Sequence, residues 1–371
     1  MTYGHQTFCS ILTGISVFDS AGSLEERKSK YNDGIFHLPE FLFAGYTRTR
    51  WEGGCCDRRA RRHWQRQAKI TAQLLLHGIE KVIVVARSED KFNIARKEWI
   101  CRDGITLSDD SVQVEFVQAD LGDVESVRTA CEHIKAKTDL IHILICNAGL
   151  GVPYECQRSP QNIDHVFAAN CVGHQVLTTV LLPLLKNAAS IAPNGARVVV
   201  TTSSLHLICR RLDCDLLTSP TRIKWPALYD GMWRYGRSKL GNILFAKELS
   251  RRLLEDQDPP SKQIYVNSYF PGNIVTAQWL AWSSYFGAWI GLLMRMIGSR
   301  LGQTAEDGAA TAIYLAASAE VKDMNFRGEY FIPIATSSDP SPMGKDMYLG
   351  QQLWEWIDTH VTKILGPNWK N

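Results

Sequence analysis

Short apolar runs separated by amphipathic stretches recur along the chain between about residue 70 and residue 335. Runs such as KVIVVAR (81–87) and LIHILIC (140–146) are apolar on both faces, which is typical of strands buried on both sides of a parallel sheet. Right-handed crossovers would place the intervening helices on both faces of that sheet. The pattern predicts an α/β fold with a doubly wound parallel sheet in a single domain.

The predicted strands are KVIVVAR (81–87), SDDSVQVEFVQADLGD (108–123), LIHILICNAG (140–149), ARVVVTTSS (196–204), QIYVNSYFPGNIVT (263–276) and GEYFIP (328–333). Residues 1–45 show no clear periodicity and are predicted to be a poorly ordered extension. They also lack the features of a secretory signal. We assign residues 46–340 to the α/β domain and residues 341–371 to a C-terminal helical tail.

Tyr235 and Lys239 stand four residues apart in the helical stretch WRYGRSKLGNILFAKEL. Side chains at this spacing project from one helix face, so the phenol and the ammonium can meet over a common substrate. A neighbouring cation favours the phenolate and lowers the pKa of a tyrosine toward the working range. The pair is a candidate acid/base device, although an ordinary helix-face tyrosine beside a solvated lysine gives the same spacing by chance.

Polar residues follow two of the predicted strands, where open α/β sheets bind ligands. Asn147-Ala148-Gly149 ends one strand, a hydroxyl cluster that includes Ser203 ends the next, and Asn170 lies in the helix between them. With Tyr-x-x-x-Lys and the later Pro271-Gly272, this order resembles the short-chain dehydrogenase/reductase family from about residue 78 to 335. The resemblance implies a Rossmann fold.

The chain departs from that family at one place. Members open with a strand and a T-G-x-x-x-G-x-G turn that approaches the cofactor pyrophosphate, but here the stretch between Trp51 and Ala68 contains neither. Trp51 is encoded by TGG, and the loss of one nucleotide there makes the following codons compatible with GKVAVVTGGRGGIGK. We interpret residues 46–69 as a disrupted glycine-turn segment that contains out-of-frame sequence.

The resemblance implies a role for each catalytic candidate. Tyr235 would exchange a proton with the substrate oxygen, and Lys239 would lower the tyrosine pKa and hold the nicotinamide ribose. Ser203 would bind the substrate oxygen, since relatives place this serine three residues before a histidine, here His206; Ser204 is the runner-up. Asn170 would tie the lysine to a proton-relay water.

The resemblance also implies a cofactor site and a preference for NADP(H). Arg87 follows a strand where NAD-preferring relatives place an acidic residue, and a guanidinium there favours a 2′-phosphate; an exposed charge that merely ends a strand is the alternative. The other implied cofactor contacts, which bracket the adenine, line its ribose or close on the nicotinamide, are Asp120, Leu121, Asn147, Ala148, Gly149, Pro271, Gly272, Ile274 and Thr276, together with Tyr235 and Lys239.

Composition narrows the function classes. With 41 basic and 38 acidic residues the net charge is only +3, so the arginine-rich run near residues 48–69 does not indicate nucleic-acid binding. The ten cysteines show no metal-ligand spacing, and we expect reduced thiols, no metal and a cytoplasmic protein.

The substrate side is predicted to be apolar. The uncharged run AQWLAWSSYFGAWIGLLM follows Thr276, where the family places its substrate lid, and supplies aromatic side chains for a pocket. Its 18 residues leave peripheral membrane contact open, and a homodimer is open too. The long loop before Tyr235 resembles the retinol-dehydrogenase-like branch. We therefore expect an oxidoreductase for a lipophilic or aromatic ketone, aldehyde or alcohol; the alternative is a non-catalytic relative that lost its glycine turn.

Overall fold

The structure is a computed structural model. It describes residues 40–44, 70–75, 79, 81–103, 113–153, 155–218, 227–272 and 305–371. The segment at 51–68, Ile274, Thr276 and the apolar run after Thr276 lie outside these ranges. The sequence predictions for those positions therefore stay predictions.

An eight-stranded sheet with the strand order β3-β2-β1-β4-β5-β6-β7-β8 forms the centre of the described part of the chain. Every neighbouring pair is parallel except β7 and β8, which are antiparallel. The strand bounds are β1 Glu40–Ala44, β2 Lys81–Ala86, β3 Gln113–Gln118, β4 Ile143–Cys146, β5 Ala196–Thr201, β6 Ile264–Tyr269, β7 Tyr330–Ile332 and β8 Thr336–Ser338. The predicted doubly wound α/β fold is confirmed, and each predicted strand falls on one of these elements.

The first strand differs from the sequence prediction. Glu40–Ala44, which lies in the segment predicted to be an extension, forms β1 and occupies the slot between β2 and β4. The predicted boundary at residue 45 is therefore not where the sheet begins. A slot with a parallel neighbour on each side must be filled for the ladders to be continuous, and EFLFA is an apolar run that can fill it.

Side chains of the inner strands alternate between the two faces of the sheet, as the two-residue period of a strand requires. In β4, Leu144 and Cys146 join one core cluster, while Ile143 and Ile145 join the other. Both faces are apolar, which explains why these strands read as continuous hydrophobic runs.

The helices that cover the two faces are α1 (residues 70–75), α2 Glu89–Asp103, α3 Val124–Lys135, α4 His165–Val180, α5 Leu182–Ile191, α6 Asp215–Thr218, α7 Ala227–Glu255, α8 Ala305–Ala317, α9 Glu320–Asp323, α10 Pro342–Lys345 and α11 Met347–Leu365. Residues of α1, α2 and α8 pack on one face, and residues of α3, α4, α5 and α7 on the other. The C-terminal α11 packs on α7, where Trp354 stacks on Phe245 with ring centroids 5.9 Å apart.

Among the described residues, no single helix is long and apolar enough to cross a membrane. The bent pair α4 and α5 meets the criterion only when its two helices are taken together, and by length and composition alone.

We predict that Leu42→Pro destabilises the present chain by about 2–4 kcal/mol, because proline removes an N–H from a strand paired on both sides and leaves a ladder carbonyl without its donor. Urea unfolding of this variant, with Leu42→Val as the control, measures the loss. If the out-of-frame hypothesis is right, the same proline in a chain carrying GKVAVVTGGRGGIGK at 51–68 costs less than about 0.5 kcal/mol, since the restored run would fill the slot. Equal losses in both chains would contradict the hypothesis.

Candidate active site

The polar residues predicted as a site lie at one edge of the sheet, beyond the carboxyl ends of its parallel strands. Arg87 follows β2, Asp120 follows β3, Asn147 follows β4 and Ser203 follows β5. Pro271 and Gly272 follow β6, and Gly272 has a φ of 93°, a left-handed backbone that favours glycine. From β2 to β5 the edge spans three strand spacings, about 14 Å. An extended ligand is needed to reach from Arg87 to Ser203.

Helix α7 is fastened to the end of β5 by hydrogen bonds in both directions. Lys239, only 3% exposed, donates from Nζ to the Thr201 carbonyl at 3.2 Å. Thr202 Oγ1 donates to the Lys239 carbonyl at 2.8 Å, and Asn242 Nδ2 donates to the Thr201 carbonyl at 2.9 Å. The lysine ammonium is thus held inside the protein at the strand end.

Tyr235 lies beside this ammonium, as the sequence spacing predicts. Lys239 Nζ is 5.7 Å from the centroid of the tyrosine ring. A cation beside a phenol favours its ionised form, because opposite charges attract and burial reduces solvent screening. The arrangement can therefore stabilise a phenolate at the sheet edge.

Asn170 lies in a π-helical turn, Ala168–Val172, inside α4. Its amide bonds both backbone groups of Leu150, accepting from the N–H at 2.6 Å and donating to the carbonyl at 3.0 Å. It also donates to Ser238 Oγ at 2.9 Å, and Ser238 Oγ donates to the Tyr235 carbonyl at 2.7 Å. Asn170 thus joins the turn after β4 to the helix that carries Tyr235.

Gly149 lies where these parts come closest together. A Cβ added to it would lie 2.9 Å from Asn170 Oδ1 and 3.4 Å from Lys239 Nζ. A side chain here would displace the asparagine or the lysine. The glycine of the Asn-Ala-Gly turn is thus explained by its contacts with two predicted catalytic residues.

Arg234, the residue before Tyr235, connects α7 to the start of α4 by an ion pair. Arg234, one of the largest fully buried side chains, is ion-paired with Asp164 and, at 2.7 Å from Nε, with Asp230. Asp164 in turn accepts from Val166 N and Phe167 N at the start of α4. Removing one partner of such a buried pair leaves an uncompensated charge. The network holds the tyrosine helix and the asparagine helix in one arrangement.

Ser203 caps the 3-10 turn Ser204–Ile208, with its Oγ accepting from Leu205 N at 3.3 Å. The hydroxyl is thereby held at the end of β5. Ser204 is the first residue of that turn, whereas Ser203 is its cap. This geometry is compatible with the choice of Ser203.

Asn147 is fixed by hydroxyls from neighbouring strands. Thr201 Oγ1 lies 2.9 Å from Asn147 Oδ1 and 3.0 Å from the Tyr269 hydroxyl, which is itself 3.4 Å from Asn147 Oδ1. Sequence reasoning missed Thr201 and Tyr269. Both lie at strand ends, which is the signal that could have identified them.

Arg87 and Asp120 meet at the far end of the edge. Arg87 Nη1 is 3.4 Å from Asp120 Oδ2, whereas Arg87 Nη2 is buried without a hydrogen-bond partner in the part of the chain that the structure describes. A buried donor without a partner costs free energy. The guanidinium therefore fits an additional anionic group at this position.

Two histidines that the sequence reasoning missed also lie at the site. Gly122, which follows Leu121, packs against the His165 ring, whose pKa is lowered mainly by burial. His174 Nε2 lies 2.7 Å from the Ala148 carbonyl. A carbonyl only accepts, so Nε2 must donate and the neutral His174 ring carries its proton there. Burial lowers the pKa of His174 to about 4.

The buried cysteines show no sign of reactivity. Burial raises the pKa of the Cys146 and Cys171 thiols to about 12, so both are protonated at neutral pH and pack as small apolar groups. In the described ranges, no group of three or more His, Cys, Asp or Glu side chains could hold a metal ion.

Comparison with known proteins shows that the chain is similar to dehydrogenases. A family model described as short chain dehydrogenase matches residues 68–208. The chain is 30% identical over 296 residues to a short-chain dehydrogenase/reductase of Aspergillus calidoustus, covering 78% of this chain and 88% of that protein. It is 32% identical over 286 residues to one of Armillaria gallica, covering 77% and 83%.

A solved structure with the same fold is that of L-sorbose reductase from Gluconobacter frateurii, complexed with NADPH and L-sorbose. The TM-score is 0.53 at 17% sequence identity, covering 84% of this chain and 98% of that one. At this identity the likeness shows the fold alone. The retinol-dehydrogenase-like branch stays a prediction.

We predict that acid destabilises the protein partly through His174. The pKa of His174 is about 4 in the folded protein and 6.5 for an ordinary histidine. Between these two pH values the unfolded chain binds a proton that the folded chain does not. The free energy of unfolding therefore decreases as pH falls from 6.5 toward 4. The full effect is about 3 kcal/mol. His174→Gln, which can still donate to Ala148, should shrink the difference in unfolding free energy between pH 7 and pH 4.5, whereas exposed His133→Gln should not. An unchanged difference in His174→Gln would refute the assignment.

Proposed function

This chain belongs to the short-chain dehydrogenase/reductase family, and on that premise we propose that it is an NADP(H)-dependent oxidoreductase that interconverts a ketone or aldehyde and an alcohol on a lipophilic or aromatic small molecule. The family uses a nicotinamide cofactor. The observation that carries the proposal is the Tyr235 and Lys239 pair, with the buried ammonium tethered to Thr201 and lying beside the phenol ring.

When bound, the cofactor supplies or accepts the hydride. In reduction, the Tyr235 hydroxyl donates its proton to the substrate carbonyl oxygen; in oxidation, it takes the proton from the alcohol. Lys239 favours the phenolate that remains after proton donation, because its charge is buried beside the ring. Ser203, held at the end of β5, binds the substrate oxygen. Asn170 keeps the turn after β4 and the Tyr235 helix together.

Support for NADP(H) over NAD(H) comes from Arg87. Its Nη2 is a buried donor with no partner in the described ranges, and a 2′-phosphate would provide one. The structurally similar Gluconobacter enzyme is complexed with NADPH. A guanidinium with one nitrogen near Asp120 and the other available suits a ligand that carries a negative group at its adenosine end.

Support for an apolar substrate comes from exposed side chains on the elements that carry Ser203 and Tyr235. Leu207, in the turn after Ser203, is 54% exposed, and Tyr229 and Trp233, on the first turns of α7, are 42% and 37% exposed. Exposed apolar side chains on the two elements that carry the site are candidate contacts for an apolar ligand. The non-catalytic alternative is not favoured, since every catalytic candidate is present at the sheet edge.

Tyr235→Phe should lower kcat by about 10²–10⁴-fold while leaving NADPH binding nearly unchanged, because it removes only the transferred proton. Lys239→Ala should weaken both. Steady-state turnover and NADPH calorimetry on the chain with a restored glycine turn measure the two effects, and Tyr348→Phe on the exposed face of α11 is the matched control. Retention of more than about a tenth of kcat, a loss under about 1.4 kcal/mol, would reject Tyr235 as the proton donor.

Arg87→Asp should reverse the cofactor preference, because a carboxylate repels a 2′-phosphate and accepts from free ribose hydroxyls. Charge-assisted hydrogen bonds of about 1.5–3 kcal/mol predict an original preference of about tenfold to a hundredfold for NADPH. The measurement is the ratio of kcat/KM for NADPH and NADH. Arg96→Asp, the same charge change at an exposed position of α2, is the control. If Arg87→Asp leaves the ratio unchanged, another residue contacts the phosphate.

A further inference from the structure

His206 is buried between two backbone partners at the end of β5. It is 1% exposed, its Nδ1 lies 2.7 Å from the Ser203 carbonyl oxygen, and its Nε2 lies 3.2 Å from the Ser341 backbone nitrogen. A backbone N–H can only donate, so Nε2 must keep its lone pair. The single proton of the neutral ring is then on Nδ1, where it donates to Ser203. The two partners thus fix both the charge and the tautomer of the ring.

The two partners belong to different parts of the fold. Ser203 caps the 3-10 turn Ser204–Ile208 at the end of β5, and Ser341 caps α10, its Oγ accepting from Gly344 N at 3.2 Å. A Cβ added to Gly344 would lie 3.4 Å from Ile243 Cγ2 of α7, one helical turn beyond Lys239. The His206 ring therefore connects the serine turn to a segment that rests on the tyrosine helix.

We propose that His206 is a positioning residue for the oxidoreductase reaction: its neutral imidazole clamps the Ser203 turn to the Ser341 segment, and protonation of Nε2 opens the clamp. The proposal rests on the proposed function, since it assigns to His206 the placement of the serine that binds the substrate oxygen. A protonated Nε2 would face the Ser341 N–H with another N–H, and the bond would be lost.

The surroundings keep the ring neutral at ordinary pH. Burial lowers the pKa of His206, and the hydrogen bond to the Ser203 carbonyl opposes that shift. The titratable side chain in ring contact with it is Tyr330, edge-on with centroids 5.2 Å apart, and burial raises the pKa of that phenol, so Tyr330 is uncharged too. The clamp is closed above the folded-state pKa and opens as pH falls through it.

Opening should affect the serine end of the site and leave the far end unchanged. Ser203 follows β5, whereas Arg87 and Asp120 follow β2 and β3, at least three strand positions away. We expect loss of the clamp to lower kcat while leaving the Kd for NADPH unchanged. A general loss of folding would change both.

Ser341 offers a matched pair of variants. Its φ of −56° already suits proline, so Ser341→Pro removes the N–H without straining φ, whereas Ser341→Ala keeps the N–H. Both lose the capping hydroxyl. The proline Cδ takes the place of the N–H and displaces the ring from Ser341, so any difference between the two variants reports the contact between the Ser341 backbone and His206.

Nitrogen NMR of the His206 ring in the full chain tests the clamp without requiring turnover. We expect a protonated Nδ1, an unprotonated Nε2 and a titration midpoint below 6.5. Ser341→Pro should raise the midpoint and mix the tautomers, while Ser341→Ala should preserve both features. A protonated Nε2 at neutral pH, or identical spectra for the two variants, would overturn the proposal.

The pH profile of kcat, measured on the chain with a restored glycine turn, tests the consequence for the reaction. Ser341→Pro should lower kcat about tenfold more than Ser341→Ala at neutral pH and flatten the acidic fall of kcat, because its clamp is already open, whereas Ser341→Ala should keep that fall. His206→Asn, whose amide can still donate to Ser203 but does not titrate, should abolish that acidic fall. An acidic fall that survives His206→Asn would overturn the positioning role. Absence of turnover at every pH would instead count against the proposed function, and the NMR result alone would decide the clamp.

Discussion

The buried ammonium of Lys239, bonded to the carbonyl of Thr201, is the interaction on which the site depends. A buried charge is costly unless it is well solvated by the protein, so the strand end, the helix and the turn after β4 must be arranged around it. Thr202 and Asn242 add bonds between the same two elements. Gly149 leaves the space that the lysine and Asn170 occupy. Tyr235 takes its position from the same helix.

Around this centre the site is built mostly from backbone carbonyls held by side chains. His174 binds the carbonyl of Ala148, His206 that of Ser203, and Asn170 that of Leu150. Each of these carbonyls belongs to a turn directly after a strand, where no ladder partner is available and the group must be satisfied otherwise. The polar residues beneath the sheet edge therefore determine the shape of the turns that present the reactive groups.

Much of the fold could be predicted from the sequence because strands buried on both faces are continuous apolar runs. The Tyr235 and Lys239 pair was accessible for a similar reason, since helical spacing alone places both residues on one face. β1 was not predicted, because nothing local in EFLFA says which slot of a sheet it fills. The roles of His174 and His206 were not predicted, because each depends on a hydrogen bond to a backbone carbonyl, of Ala148 and of Ser203. Every residue has a carbonyl, so the sequence does not show which one a histidine contacts.

The residues proposed for the substrate and adenosine ends of the site lie at one edge of the sheet, whereas the sequence between Trp51 and Ala68 contains no glycine turn for the pyrophosphate. The family match that begins at residue 68 agrees with a local loss. Calorimetric titration of NADPH into the present chain and into a chain carrying GKVAVVTGGRGGIGK in that segment tests this directly. We expect binding by the restored chain and binding at least about a hundredfold weaker, a difference of about 2.7 kcal/mol, by the present one. Equally tight binding by both chains would contradict it.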